Sequence, residues 1–250
     1  MYGVRIKTDI PYFANFRKPT STSNLTTYSI PPYTTIRGLL SNALGLMRDD
    51  YKLQDWNLKI GIEPNKQGDK NIELTKILKL VARERAFKCK ECGFIMKQST
   101  KRKKCKKCEG EVKEIPNYKR NFPSAPMFQE FIVQPSFDIY LISSKENIQK
   151  INKAIKNPKR PLYLGNSENL VTLKAATPIE VDEKMGKQTS TVVEGFHKNS
   201  FIEKLPYKFH KTGRRFQLEY KTVSIPKGEM LKFRKEKSLF EFNGKKIFAI

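Results

Sequence analysis

The sequence predicts an α+β protein: a strand–helix–strand–strand–helix–strand core that carries a metal-pinned basic insertion and continues into a β-rich carboxy-terminal part. Three observations predict it. Two amphipathic helical stretches lie among alternating apolar runs, all four cysteines fall in one short window, and the pattern from about residue 176 onward is strand-like.

The first element is a strand over residues 3–10, with Val4 and Ile6 on one face. Residues 11–32 are too rich in Thr, Ser, Asn and Pro for regular structure throughout. Thr34 or Thr35 caps a helix to about Met47, whose Ile36, Leu39, Leu40, Ala43, Leu44 and Met47 recur at helical spacing. Alternating Leu58, Ile60 and Ile62 mark a second strand. Residues 72–86 are ambiguous: Leu74, Ile77, Leu78 and Val81 fit a helix, with an extended arm as the alternative. Further on, Phe131-Ile132-Val133 and Phe137 to Ile142 are β-rich, with a break or bulge at Pro135. Ser144 caps a second helix to about Asn157, with Ile148, Ile151, Ala154 and Ile155 inward, and Leu170 to Leu173 forms a fourth strand. That order is the ferredoxin-like βαββαβ pattern. The expected organisation is a core over 1–175, interrupted by an insertion over 83–120, and a β-rich region over 176–250. The last part closes in a hairpin, Ser238–Phe242 with Lys245–Ile250, around the type I′ signal Asn243-Gly244.

Composition narrows the function. The 250 residues carry 49 Lys+Arg against 25 Asp+Glu, a formal net charge of +24. Sixteen Phe, ten Tyr and a hydrophobic content of 38% exclude a wholly disordered polycation. No apolar run reaches the roughly 18 residues of a membrane span. The alternating, charged start is unlike a signal peptide, so a soluble, cytoplasmic protein is expected. Like-charge repulsion of this size disfavours the compact state unless a polyanion answers it, and nucleic acid is the first candidate. An anionic membrane would call for a basic amphipathic helix with an aromatic apolar face, and the sequence offers none.

The cysteines read Cys89-x2-Cys92 and Cys105-x2-Cys108, with twelve residues between the pairs. Each pair can grip a metal from a tight turn, and the two together make a tetrathiolate site for one structural Zn²⁺. Gly93 and Gly110 suit such turns. Two disulfides or a rubredoxin-like iron are the alternatives, the former disfavoured in a reducing compartment. A closed four-thiolate site leaves no open coordination position, so its role is structural. Between Arg83 and Arg120 there are fourteen Lys/Arg and five Glu, a local excess of +9. Lys101-Arg102-Lys103-Lys104 lies between the pairs.

The amino-terminal motifs point to a family. Phe13-Ala14-Asn15-Phe16-Arg17-Lys18-Pro19 is followed by Tyr28-Ser29-Ile30-Pro31-Pro32-Tyr33-Thr34-Thr35-Ile36-Arg37-Gly38-Leu39-Leu40 and by Ala43-Leu44-Gly45. With Pro161-Leu162-Tyr163-Leu164-Gly165-Asn166-Ser167, these stretches resemble the fifth family of CRISPR-associated (Cas) proteins, in the RAMP superfamily of crRNA-binding proteins. The likeness spans residues 1–175. The CxxC pairs are not general to that family; they fall where it usually carries a β-hairpin thumb. The resemblance implies an RRM-like core and a non-catalytic subunit of a type I Cascade interference complex. It implies a chain that caps the crRNA 5′ handle, touches the backbone and large subunits, and lies near the protospacer-adjacent motif (PAM), which makes target DNA a further candidate partner.

Single-stranded RNA is held by cations on phosphates and by aromatic faces under bases. The candidate contacts are Phe13, Phe16, Arg17, Lys18 and Arg37; Arg83, Arg85 and Arg120 of the insertion; Gly165; and the basic turn Lys211, Arg214 and Arg215. The rival function is a metal-independent endoribonuclease, for which only His197 and His210 are available as imidazoles, with Lys208 and Lys211 beside the second. One subtype of the family cleaves repeat RNA with a Tyr and an adjacent Lys–His pair, a spacing that Tyr207, Lys208 and His210 do not match. A zinc-ribbon adaptor of transcription or ribosome assembly would account for the charge and the ribbon but not for the amino-terminal motifs.

Overall fold

The computed structural model describes residues 1–21, 24–47, 50, 52–78, 82–97, 104–118, 124–212 and 215–250; for residues 76–78, 82–85, 97, 116–118, 124–125, 211–212 and 215–216 the description is of backbone alone. The first half of the chain holds β1 (Tyr2–Asp9), the short β2 (Phe13–Ala14) and β3 (Asn24–Leu25), helix α1 (Tyr33–Leu44) and one-turn α2 (Lys52–Asp55). Next come β4 (Lys59–Lys66), β5 (Lys70–Leu78), β6 (Ala82–Cys89), β7 (Ile95–Lys97), β8 (Val112–Tyr118), β9 (Ser124–Val133) and β10 (Ser136–Ser143). Helix α3 (Lys145–Lys156) precedes β11 (Thr172–Ala175), β12 (Ile179–Glu180), β13 (Glu183–Thr189) and β14 (Val193–Glu194). The chain ends in β15 (Ser200–Thr212), β16 (Arg215–Pro226), β17 (Leu231–Phe242) and β18 (Lys245–Ile247). It divides into two compact units, Met1–Glu73 with Gln129–Ile250, and Leu74–Phe128. The inserted unit is thus wider than 83–120, and residues 176–250 belong to the same unit as the amino-terminal strands.

The main sheet runs β11-β1-β10-β4, with β12 also on β1, and its pairings are antiparallel. Helix α1 connects β1 to β4, and α3 connects β10 to β11, so the four strands in chain order lie in the spatial order 4-1-3-2. The register puts Val4, Ile6, Ile60, Ile62, Phe137, Ile139 and Leu141 on one face. There they share a core with Ile36, Leu39 and Leu40 of α1 and Ile148, Ile151 and Ile155 of α3. Fully burying one such side chain is worth about 1.5–3 kcal/mol, more than a surface ion pair, so this layer outweighs the charge in setting the fold. On the opposite face, Tyr140 and Ile142 meet Val181, Phe240, Phe242 and Ile247 in a second cluster. The Phe242 ring stands edge-on to Tyr140 at 5.1 Å.

The helix ends differ in how they were foreseen. Ser144 caps α3, its hydroxyl accepting the Asn147 N–H. Helix α1 instead begins at Tyr33 after Pro32, with no side-chain cap, which corrects the expected Thr34 or Thr35 cap. Proline there pre-sets φ and has no N–H of its own to satisfy. The helix stops at Leu44 rather than Met47 because Gly45 takes the left-handed conformation and its N–H bonds back to Asn42. Residues 72–86 fall in β5 and β6 where they are described, so the extended alternative holds. Asn243 and Gly244 both have positive φ in the turn between β17 and β18, as a type I′ turn requires. Among the described residues, no helix is long and apolar enough to cross a membrane.

Candidate nucleic-acid interface and metal centre

The inserted unit contains a three-stranded antiparallel sheet, β7-β6-β8, with a cysteine turn at each of two corners. In the first turn the Cys89 N–H donates to Phe94 O at 3.0 Å; in the second the Cys105 N–H donates to Gly110 O at 2.9 Å. The two turns thus repeat one backbone pattern. The residue that takes positive φ is Gly93 in the first and Glu109, not Gly110, in the second. All four sulfurs lie within 4.8 Å of one another. The nearest pairs are Cys89 with Cys108 at 3.4 Å and Cys92 with Cys105 at 3.7 Å. A tetrahedron of sulfurs around an ion at about 2.3 Å has edges of about 3.8 Å, so the donor set fits one tetrahedral cation. Cys89 and Cys105 are buried, and Cys92 and Cys108 are exposed. N–H groups of the turns point at the buried pair: the Cys92 N–H, with other hydrogen bonds, holds the Cys89 thiol down at about 7. The Lys107 N–H, 3.3 Å from Cys105 Sγ, leads the bonds that lower that thiol.

The amino-terminal motif residues are drawn together by tertiary hydrogen bonds. Phe16 N–H donates to Thr27 Oγ1 at 2.8 Å, and Thr27 N–H donates to Glu130 Oε2 at 3.0 Å. Asn15 Nδ2 reaches Glu130 O at 2.5 Å. The Tyr-Leu-Gly segment closes on the same place: Asn169 Nδ2 donates to both Asn15 O and Leu164 O. Gly165 has φ 99°, and a Cβ there would stand 2.8 Å from Asn15 O. Its missing side chain therefore serves the approach of two protein segments.

The candidate RNA contacts separate by exposure. Phe13 is 44% exposed and leans edge-on against Phe131, and Arg17 is exposed with one bond to Ser21 O. Lys18 is half-buried, 3.1 Å from Glu203 Oε1 and 5.2 Å from the Tyr28 ring. Phe16 is 2% exposed and part of the core, which removes it as a stacking surface. Arg37 is 3% exposed; its guanidinium donates to Leu53 O and Leu58 O and stands beside the Tyr207 ring, so it is a buried cation. Arg83, Arg85, Lys211 and Arg215 have their backbone in β6, β15 and β16, and their side chains lie outside the described residues. Arg120 and Arg214 lie outside them entirely.

Sequence reasoning passed over a denser arrangement on the β15–β16 hairpin, strands of thirteen and twelve residues. Lys208 Nζ and Lys221 Nζ each stand 5.1 Å from the Tyr207 ring, and Lys204 Nζ stands 5.5 Å from the Tyr220 ring. Exposed Tyr12, next to Phe13, was also missed. The signal was present as aromatic and basic residues interleaved along both strands. The two imidazoles engage separate partners: His210 Nε2 is 3.2 Å from Glu219, and His197 Nε2 is 3.2 Å from Lys237 Nζ. Burial, then Lys237, lowers the His197 pKa.

Residues 3–222 match the family model described as CRISPR-associated protein (Cas_Cas5). The chain belongs to that Cas5 family. No curated protein matches it. Among solved structures, the Cas5 chain is similar to one described as a CRISPR RNA-guided surveillance complex, at 10% identity and TM-score 0.53, covering 89% of this chain and 91% of that one. A CRISPR protein from Archaeoglobus fulgidus aligns at 12% identity and TM-score 0.49 over 99% and 98% of the two chains. A chain described as a Cas protein aligns at 15% identity and TM-score 0.46 over 90% and 95%.

Proposed function

We propose that this Cas5 chain is a non-catalytic subunit of a type I Cascade complex that binds and caps the 5′ handle of crRNA, in contact with the backbone and large subunits. The observation that carries this is the family match over residues 3–222. The net charge of +24 and the likeness to a chain of an RNA-guided surveillance complex support it. The β11-β1-β10-β4 sheet with α1 and α3 is its ferredoxin-like core. In RRM proteins the sheet face without helices stacks bases. Here Phe240, Phe242 and Ile247 cover part of that face, so RNA is assigned elsewhere: to Tyr12, Phe13 and Arg17, and to the lysine–tyrosine rows of β15 and β16. The four cysteines hold one Zn²⁺, which stiffens a basic ribbon for a nucleic-acid or protein neighbour, target DNA at the PAM among them. When bound, the ion supplies cross-linking rather than reaction chemistry.

The test is fluorescence anisotropy of the full chain with handle-length single-stranded RNA. Affinity should fall with salt at a slope of about −0.7 per phosphate contacted. Replacing Lys204 and Lys208 together by Gln should lower that slope by about 1.4. An RNA left intact after prolonged incubation is expected, and cleavage abolished by His210→Ala would overturn the non-catalytic role.

A further inference from the structure

We propose that the cleft beside α1 is a nucleotide-phosphate site, in which the buried Arg37 and the half-buried Gln54 receive one phosphate; this rests on the RNA-binding function above and gives it a specific pocket. The cleft has a volume of about 500 Å³ and lies between α1, the α2 turn and the segment carrying Arg160, Tyr163 and Gly165. Two of its lining side chains hold a buried donor atom without a hydrogen-bond partner among the described residues, Arg37 Nε and Gln54 Nε2.

The Gln54 amide is fixed in orientation. Its Oε1 accepts the Phe209 N–H at 3.3 Å, and a flipped amide would set donor against donor. The end without a partner is therefore a donor. Arg37 is 3% exposed, and its two main-chain bonds are long, 3.5 Å to Leu53 O and 3.3 Å to Leu58 O. Among the described residues no carboxylate lies within salt-bridge distance of it. A buried cation without a counter-ion is costly, and the two unsatisfied donors select an acceptor-only, negatively charged group. Thr34 and Thr35 bring the first turn of α1 to the same cleft, and that turn has neither a side-chain cap nor an acidic residue. The positive end of the helix is left for a ligand. Asp50 is the one acid among the described lining residues, and Lys52 engages it through its N–H at 3.0 Å and its ammonium at 3.8 Å. The cleft is larger than a phosphate needs, and Tyr163, 37% exposed, offers a ring face for the attached base.

The test titrates the full chain with adenosine 5′-monophosphate, adenosine and inorganic phosphate by calorimetry. In parallel, handle-length RNA is titrated by anisotropy. Gln54→Glu keeps the Oε1 acceptor for Phe209 and turns the free donor into a second acceptor, so it spares the fold where Arg37→Ala would not. The nucleotide should bind wild-type protein at least about tenfold more tightly than adenosine or phosphate alone, and Gln54→Glu should remove that gain at a melting temperature no lower than that of the wild type. The same variant should reduce the salt slope of RNA binding by about 0.7, one phosphate. Failure to bind the nucleotide, equal binding by the variant, or phosphate binding as tightly as the nucleotide overturns the site while RNA binding stands. Failure of wild-type protein to bind RNA overturns the broader function instead.

Discussion

Glu63 sits on the face of β4 away from the helices, with a side chain 9% exposed. The Lys245 ammonium reaches both its oxygens, at 2.6 and 2.7 Å, and the Tyr140 hydroxyl donates to Oε2 at 2.9 Å. Burial by itself would raise the pKa of this carboxyl; the hydrogen bonds from Lys245, Ser190 and Tyr140 outweigh it and hold the group below the usual carboxylate range. A carboxyl depressed on folding stabilises the native state above its unfolded pKa. That stability is lost as pH falls through the lower folded value. Lys245→Met leaves a buried carboxylate without its cation and should cost about 1–3 kcal/mol at pH 7. In the variant, burial dominates and the folded pKa rises, so acid relieves the defect. Urea midpoints of variant and wild type should therefore differ most at pH 7 and converge towards pH 4. A difference that persists in acid would mean that Lys245 acts through packing. Gly61 belongs to the same corner: a Cβ on it would stand 2.8 Å from Phe248 O and 2.9 Å from Ile247 Cγ2. A glycine inside a strand pattern is a signal of close backbone approach, although nothing local says what approaches.

At the scale of elements, the cysteine ribbon makes the sharpest prediction. Protein purified without added metal should carry about one zinc per chain by elemental analysis. A thiol assay in denaturant with chelator should release all four sulfhydryls, whereas disulfides would release none. Cys89→Ser and Cys105→Ser, which replace the buried thiolates, should each lose the ion. The cysteine cluster was legible because its pattern is local: each CxxC pair lies in one short turn. Helix α3 was legible for the same reason, since Ser144 and the Ile148, Ile151, Ile155 stripe lie within one short stretch. Residues 72–86 were not. Ile72 and Leu74 are 66% and 62% exposed, so the apolar pattern there does not report a buried face, and β5 takes its strand form from pairing with β9, far along the chain. The burial of Arg37 was not legible either, for the same reason. Its position among Leu53, Leu58 and Tyr207 depends on how α1, β4 and β15 meet.

For the molecule as a whole, the net charge of +24 acts twice and with opposite signs. Within the folded chain it is repulsive, and ion pairs such as Lys221 with Glu194 or Lys184 with Glu241 use up only some of the cations. Toward a polyanion it is attractive. Salt screens both, with a Debye length that shrinks from about 30 Å at 0.01 M to about 8 Å at 0.15 M. The free protein should therefore melt at a higher temperature as sodium chloride is raised from about 20 to 300 mM. A gain of about 1 kcal/mol would appear as roughly 2–4 °C for domains of this size. RNA affinity should fall over the same range. With RNA at about 100 times its dissociation constant, linkage adds about 2.7 kcal/mol to the native state, and that increment should shrink as salt rises. The melting curves with and without RNA should thus converge at high salt from opposite directions. If the free protein's melting point were instead flat in salt, the cations would already be balanced within the fold, and the charge would have to be explained without a polyanionic partner.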